Sequence, residues 1–183
     1  MGCPGLSRQV RIFTFPLGSY WLLRPIFTIA AGGTQIVRMG LRRQPDDRRE
    51  LAYRLFLQEV PIKTTREGEV NVVLRLGIPI FVMPSGNPPK PQLTWRIVEI
   101  PQKGLHIEAT NHGDAHVQVS SFSIRGAEGE SILSDHHEMG YLLPGQGRHW
   151  LVALDQVYPP ETKMKIIART DSGDINAEVI LER

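Results

Sequence analysis

The side chains able to do chemistry gather at two places in the sequence. Asp135-His136-His137-Glu138 sets four acid, base or metal-ligating groups in succession, and His112, Asp114 and His116 flank a short polar turn. A metal site or a general acid–base pair needs such groups on one side of the backbone. Neighbours on an extended chain point to opposite faces, so the run 135–138 does not converge and reads as a solvated loop. His112, Asp114 and His116 read as the polar residues of a hairpin loop. Cys3 is the single cysteine, so no disulfide forms within the chain, and it has no nucleophilic partner nearby in sequence. The patterns G-x-S-x-G, H-E-x-x-H and the P-loop do not occur. Gly32-Gly33 and Gly145-Gln146-Gly147 mark turns rather than phosphate cradles, because no helix follows either. The sequence thus predicts a protein that is not an enzyme, with no catalytic residue, no metal and no cofactor. A hydrolase built on His136 and His137 is the weakest reading, since it requires histidines and carboxylates meeting in one pocket.

Composition narrows the remaining classes. Apolar residues make up 41% of the 183 and charged residues 22%, enough to build a core and too balanced for a disordered chain. Residues 1–90 carry 13 Lys and Arg against 6 Asp and Glu, while residues 91–183 carry 8 against 13. That asymmetry points to two separate units. No run of five basic residues exists, which argues against nucleic acid as a partner. No apolar run reaches 18 residues, so no membrane insertion by a helix is expected. The apolar stretch Ile12–Leu17 is short, broken by Pro16 and lacks a small-residue cleavage site, so it does not read as an export signal.

The elements that would position any site are strands. Residues 25–31 form a short apolar segment ending at Gly32-Gly33, and 34–41 read as a strand. Residues 42–50 are a charged loop. Residues 51–60 alternate Leu51, Tyr53, Leu55 and Leu57 with Ala52, Arg54, Phe56 and Gln58, and stop at Pro61. The next segment is the most informative. Every even position from Val70 to Val82 is apolar: Val70, Val72, Leu74, Leu76, Ile78, Ile80 and Val82. Period 2 over that span predicts one long strand with a wholly apolar face. Pro79 cannot donate a ladder hydrogen bond, which places the strand at a sheet edge or at a change of partner. Such a face either lines its own core or is offered to another chain by β-augmentation.

Residues 85–91 (SGNPPKP) read as a hinge. Beyond it come 93–100, 104–110, 116–124 paired back on 104–110 as a hairpin, then 141–143, 149–154, 164–170 and 175–182. Short strands at even spacing predict an immunoglobulin-like sandwich, with Trp21, Trp95 and Trp150 as core residues. The predicted class is all-β, with two immunoglobulin-like β-sandwich domains.

Taken in order, these segments resemble the periplasmic pilus (fimbrial) assembly chaperones. LAYRLFLQEVP followed by VNVVLRLGIPIFVMP looks like the F and G strands of the first domain of that PapD-like family. PIFTIAAGGTQIVRMGLRR looks like its earlier turn and strand, and ATNHGDAHVQVSSF and YLLPGQGRHW resemble second-domain segments. The resemblance runs over residues 21–183 and is nearer to the spore-coat-U or archaic type. It implies a partial N-terminal domain at 21–84, the hinge at 85–91 and a C-terminal domain at 92–183. The first domain is then N-terminally incomplete, and residues 1–20 form an atypical segment, read as a misassigned, truncated or frameshifted start.

The resemblance also implies a function: a periplasmic chaperone that binds pilus subunits by donor-strand complementation and delivers them to an outer-membrane usher. Carried over by position, the donor residues are Val70, Val72, Leu74 and Leu76. Glu59 and Asp171 match the acidic positions of a hinge charge pair, whose expected arginine aligns with Met83. A cationic position on the family's G strand aligns with Pro79. The alternative is a self-contained immunoglobulin-like structural or adhesion module, which would pair the 70–82 strand on both sides.

Overall fold

A computed structural model describes residues 8–15, 20–22, 26–61, 72–126, 132–153 and 158–183, and every regular element among them is a strand. The all-β expectation holds. The described residues fall into two compact units, one within Met1–Asp46 and Leu51–Met83, the other within Asp47–Glu50 and Pro84–Arg183.

The first unit contains β1 (Arg8–Phe15), β2 (Tyr20–Leu22), β3 (Ile26–Ile29), β4 (Met39–Leu41), β5 (Leu51–Glu59) and β6 (Arg75–Val82). Four of these make an antiparallel sheet in the order β3-β1-β5-β6, and β2 and β4 form a separate two-stranded ladder. The alternation read in residues 51–60 decides which face of the sheet is apolar. Leu51, Tyr53, Leu55 and Leu57 stand opposite Val82, Ile80, Ile78 and Leu76, so the two apolar rows share one face. Tyr53 and Leu55 are buried there.

Three expectations change in this unit. Residues 1–20 match nothing expected of the first domain, yet Arg8–Phe15 lies between β3 and β5 in the sheet. The cause is a short alternation: Val10 and Ile12 fall on the apolar face, Ile12 opposite Leu57 and only 3% exposed. The strand expected over 34–41 shrinks to Met39–Leu41, where it meets the three residues of β2. The strand expected over 70–82 is regular only from Arg75 among the described residues: at Leu74 the ladder ends on Glu59, the last residue of β5, whose carboxylate takes the Leu74 N–H in place of a main-chain carbonyl.

The second unit contains β7 (Leu93–Ile100), β8 (Gly104–Asn111), β9 (Val117–Gly126), β10 (Ile132–His136), β11 (Gly140–Leu142), β12 (Gly147–Val152), β13 (Lys163–Thr170) and β14 (Gly173–Glu182). β7, β8 and β12 form one antiparallel group, and β9, β10, β11, β13 and β14 another. β14 joins them, pairing with β13 along its length and, at Leu181 and Glu182, in parallel with β7. The inward rows of both groups meet in one core: Ile97, Leu105, Ile107 and Trp150 from the first, Val117, Phe122, Ile124, Ile166 and Leu181 from the second. Trp95 and Trp150 stack at 6.0 Å, and the Phe122 ring closes the cluster at 5.7 and 5.0 Å from them. The core positions expected for Trp95 and Trp150 hold; the side chain of Trp21 lies outside the described residues.

Two further expectations change here. β9 does not pair with β8. β8 lies between β7 and β12, and β9 pairs with β10, β11 and β13. Both strands alternate inward with the same period, and facing one another across the core buries both rows, whereas a hairpin would put them in one layer. Asp135 and His136, expected in a loop, close β10 against Ser123 and Phe122 of β9, after a register shift between Ile132 and Ser134.

If β1 belongs to the first sheet, truncating its buried residue removes core packing. Ile12→Ala is expected to cost about 2–5 kcal/mol in urea unfolding, and an unchanged midpoint would place β1 outside the folded unit.

Candidate functional site

Among the described residues β6 is an edge strand. It pairs with β5 and, among the described residues, with no other strand. Its alternation does not end in burial. Val72, Leu74, Leu76 and Ile78 are 76%, 53%, 46% and 42% exposed, whereas Ile80 and Val82, further along the same row, are half-buried. Of the four positions expected to form a donor strand, three lie in this exposed stripe, and Val70 lies outside the described residues. The stripe also takes in Ile78, one step beyond the expected set. On the opposite face the Arg75 guanidinium sits 4.4 Å above the Phe56 ring, and Gly77 lies so close to it that an added Cβ would meet the ring edge at 3.1 Å.

Glu59 terminates the ladder. Its main-chain N–H donates to the Leu74 carbonyl (2.9 Å), and its Oε2 accepts from the Leu74 N–H (3.0 Å). This carboxylate thus orients the start of β6. Glu59 and Met83 lie at opposite ends of the β5–β6 pair, since Leu51 stands opposite Val82 and Glu59 opposite Leu74. The structure does not bring these two expected hinge residues together.

Asp171 lies in the second unit, in a cluster that sequence reasoning missed. Glu50 is buried, its side chain 2% exposed, with Oε1 2.6 Å from His116 Nδ1 and accepting from the His116 main-chain N–H (3.3 Å). On the other side of the ring, Asp171 Oδ2 lies 3.6 Å from His116 Nε2, and Asp171 Oδ1 accepts from the Gln118 N–H (2.9 Å). An imidazole therefore sits between two carboxylates, with the Tyr141 ring 5.7 Å away. The Glu50 N–H also donates to the Asp114 carbonyl (2.9 Å). Nothing in the local pattern singles out Glu50: it closes a charged loop, where exposure to solvent is the default.

The turn at residues 111–115 organises this region. Asn111 is fully buried and every polar atom of its side chain is used. Its Oδ1 accepts from the N–H groups of Gln92 (3.1 Å) and Gly113 (2.9 Å), and its Nδ2 donates to the carbonyls of Ala115 (2.8 Å) and Leu142 (3.0 Å). Gly113 must be glycine, because a Cβ would fall 2.2 Å from the Lys90 carbonyl oxygen. The other groups of the turn go separate ways: His112 Nε2 meets Thr94 Oγ1 at 3.0 Å, and Asp114 pairs with Arg49 at 3.6 Å.

The run 135–138 also divides. His137 pairs with Asp135 (3.2 Å), while His136 reaches Glu138 (3.3 Å) and stacks near Phe122, with ring centroids 5.1 Å apart. The His136 hydrogen bond, helped by Arg148, holds the Glu138 carboxyl below its ordinary pKa. Asp135, His137 and Glu138 face solvent. Among the described residues, no three metal-ligating groups converge.

Removing the imidazole leaves a buried carboxylate with its main-chain partner alone. His116→Ala is expected to cost about 1–3 kcal/mol in chemical unfolding, and Glu50→Gln, which keeps a hydrogen-bonding oxygen, less. Equal and negligible losses would show the cluster to be passive.

Residues 19–88 match the family model for the pili and flagellar-assembly chaperone, PapD N-terminal domain. No curated protein sequence matches the chain. Among solved structures, it is similar to the archaic CsuC–CsuE chaperone–tip adhesion subunit pre-assembly complex of Acinetobacter baumannii, at TM-score 0.67 and 17% identity, covering 99% of this chain and 88% of that one. It is similar also to the YadV chaperone (TM-score 0.63, 15% identity, 95% and 86% covered). A third is the Salmonella enterica SafA pilin–SafB chaperone complex (TM-score 0.62, 13% identity, 97% and 84% covered). With the PapD N-terminal pattern over residues 19–88 and the two-domain β architecture of pilus chaperones along nearly its whole length, the chain is PapD-like in fold.

Proposed function

We propose that this chain is a periplasmic chaperone for pilus subunits, lending the edge at β6 as a donor strand and passing its cargo to an outer-membrane usher. The observation that carries this reading is the exposed apolar stripe of Val72, Leu74 and Leu76 on an edge strand. Long apolar edges are normally blunted because they recruit other chains. Fully burying each of these side chains is worth about 1.5–3 kcal/mol, a driving force available to a partner that lacks a strand. The donor set is Val70, Val72, Leu74 and Leu76. Main-chain pairing would supply affinity, and the alternating side chains would fill the partner's core. No covalent bond changes, so the activity needs neither catalytic residue nor cofactor. Fold likeness alone does not carry function; two of the similar structures are named as complexes with a tip adhesion subunit or a pilin, which supports the same partner class here. A self-contained module would pair β6 on both flanks, whereas among the described residues it pairs on one.

The test is co-expression with pilus subunits from the same genome, comparing wild type with Leu74→Glu. Co-purification that falls at least about tenfold on burying a charge at this position is expected. A complex indifferent to Leu74→Glu, or none with any subunit, would leave the self-contained module as the better reading.

A further inference from the structure

The chain has six histidines, and four of them have a polar side-chain partner. His112 meets Thr94, His116 lies against Glu50, His136 reaches Glu138 and His137 pairs with Asp135. His106 and His149 differ. Among the described residues neither has a hydrogen bond or an ion pair, and the one contact of each ring is with the other. Neither belongs to the clusters that the sequence singles out.

Strand alternation brings the two rings together. Leu105, Ile107 and Trp150 point into the core of the second unit, so His106 on β8 and His149 on β12 project from the outer face of that sheet. His106 stands opposite Leu151, and His149 opposite Glu108, which makes the histidines diagonal neighbours. In its row His106 lies between Val98 and Leu151, and neither side chain can hydrogen-bond an imidazole. His106 is half-buried and His149 exposed.

The spacing of the rings has chemical content. Their centroids are 5.3 Å apart, with an interplanar angle of 30°. At a Zn–N length of about 2.0–2.1 Å, with each nitrogen about 1.1 Å from its ring centre, two imidazoles on a tetrahedral ion stand about 5.2 Å apart. Adjacent imidazoles on a square-planar ion stand closer, at about 4.5 Å. The local charge also favours a cation. Glu108 lies opposite His149 and two residues from His106, while its cationic neighbour Arg96 is 3.9 Å away and bonds both Glu182 oxygens at 3.1 Å.

We propose that His106 and His149 form a cross-strand site for a divalent transition cation of the Zn2+ class. Among the described residues no third protein ligand joins them, so the other positions of the ion are open to water. β12 ends the strand order of its sheet, and an ion bound by both rings clamps this edge strand to β8. The site is independent of the donor-strand reading.

The experiment titrates the full, tag-free chain with zinc chloride, using calorimetry for affinity and histidine side-chain NMR for location. Zn2+ is expected to shift the ring signals of His106 and His149 together. His106→Gln and His149→Gln are each expected to weaken binding at least about tenfold, and to abolish the rise in thermal midpoint that Zn2+ gives the wild type. His137→Gln is the control, expected to leave the affinity within about twofold. Ring shifts confined to other histidines, an affinity unchanged in either variant, or no Zn2+ bound overturns the site. A wild-type midpoint that bound Zn2+ does not raise overturns the clamp. Should either variant lose the wild-type fold, the wild-type ring shifts decide alone.

Discussion

An extended strand has two side-chain faces and two rows of main-chain groups, and the edge of a sheet can satisfy only one of those rows. β6 is held under this constraint, and the rest of the first unit is arranged around it. β5 takes one main-chain row, and the sheet's apolar face takes the C-terminal half of the side-chain row at Ile80 and Val82. Among the described residues the N-terminal half has no such cover. Glu59 compensates at the point where the ladder runs out, bonding Leu74 through both its main chain and its carboxylate. The strand is thereby kept extended toward residues whose apolar side chains remain in water.

The two units differ in how their sheets are completed. The second closes its core from both sides, with the Trp95–Trp150 stack and Phe122 at its centre. The described residues of the first bury far less apolar surface, chiefly Ile12, Tyr53 and Leu55. The exposed apolar row of β6 therefore belongs to the first unit. The second unit spends its polar groups on order instead. Asn111 ties four main-chain groups around one turn, and His116 sits between Glu50 and Asp171. Buried polar groups are tolerated when every partner is supplied, and they then select one arrangement of loops over others.

Much of this was legible in the order of residues, because alternation is a local property. The apolar run from Val70 to Val82 announces a strand with one greasy face, and Pro79 announces an edge, without knowledge of any neighbour. Leu51, Tyr53, Leu55 and Leu57 do the same for β5. The start of β6 was not legible, since the apolar period continues through Val72 and Leu74, where the regular ladder has ended. The strand at Arg8–Phe15 was missed because two inward residues, Val10 and Ile12, are too few to stand out from an unfamiliar start. The β8–β9 hairpin was misread for a related reason: two consecutive alternating strands look alike whether they lie side by side or face to face.

The candidate site divides along the same line. By itself the sequence determined the strand periods, the apolar face of the edge strand, the proline that marks it and the absence of familiar catalytic patterns. Only the tertiary structure decided how far the exposure of that strand extends and that Glu50 lies against the imidazole beside Asp171. The physical reason is range. Side-chain period and the lack of a proline N–H are written in adjacent residues, whereas burial, ladder phase and ion pairing depend on groups brought together from distant parts of the chain.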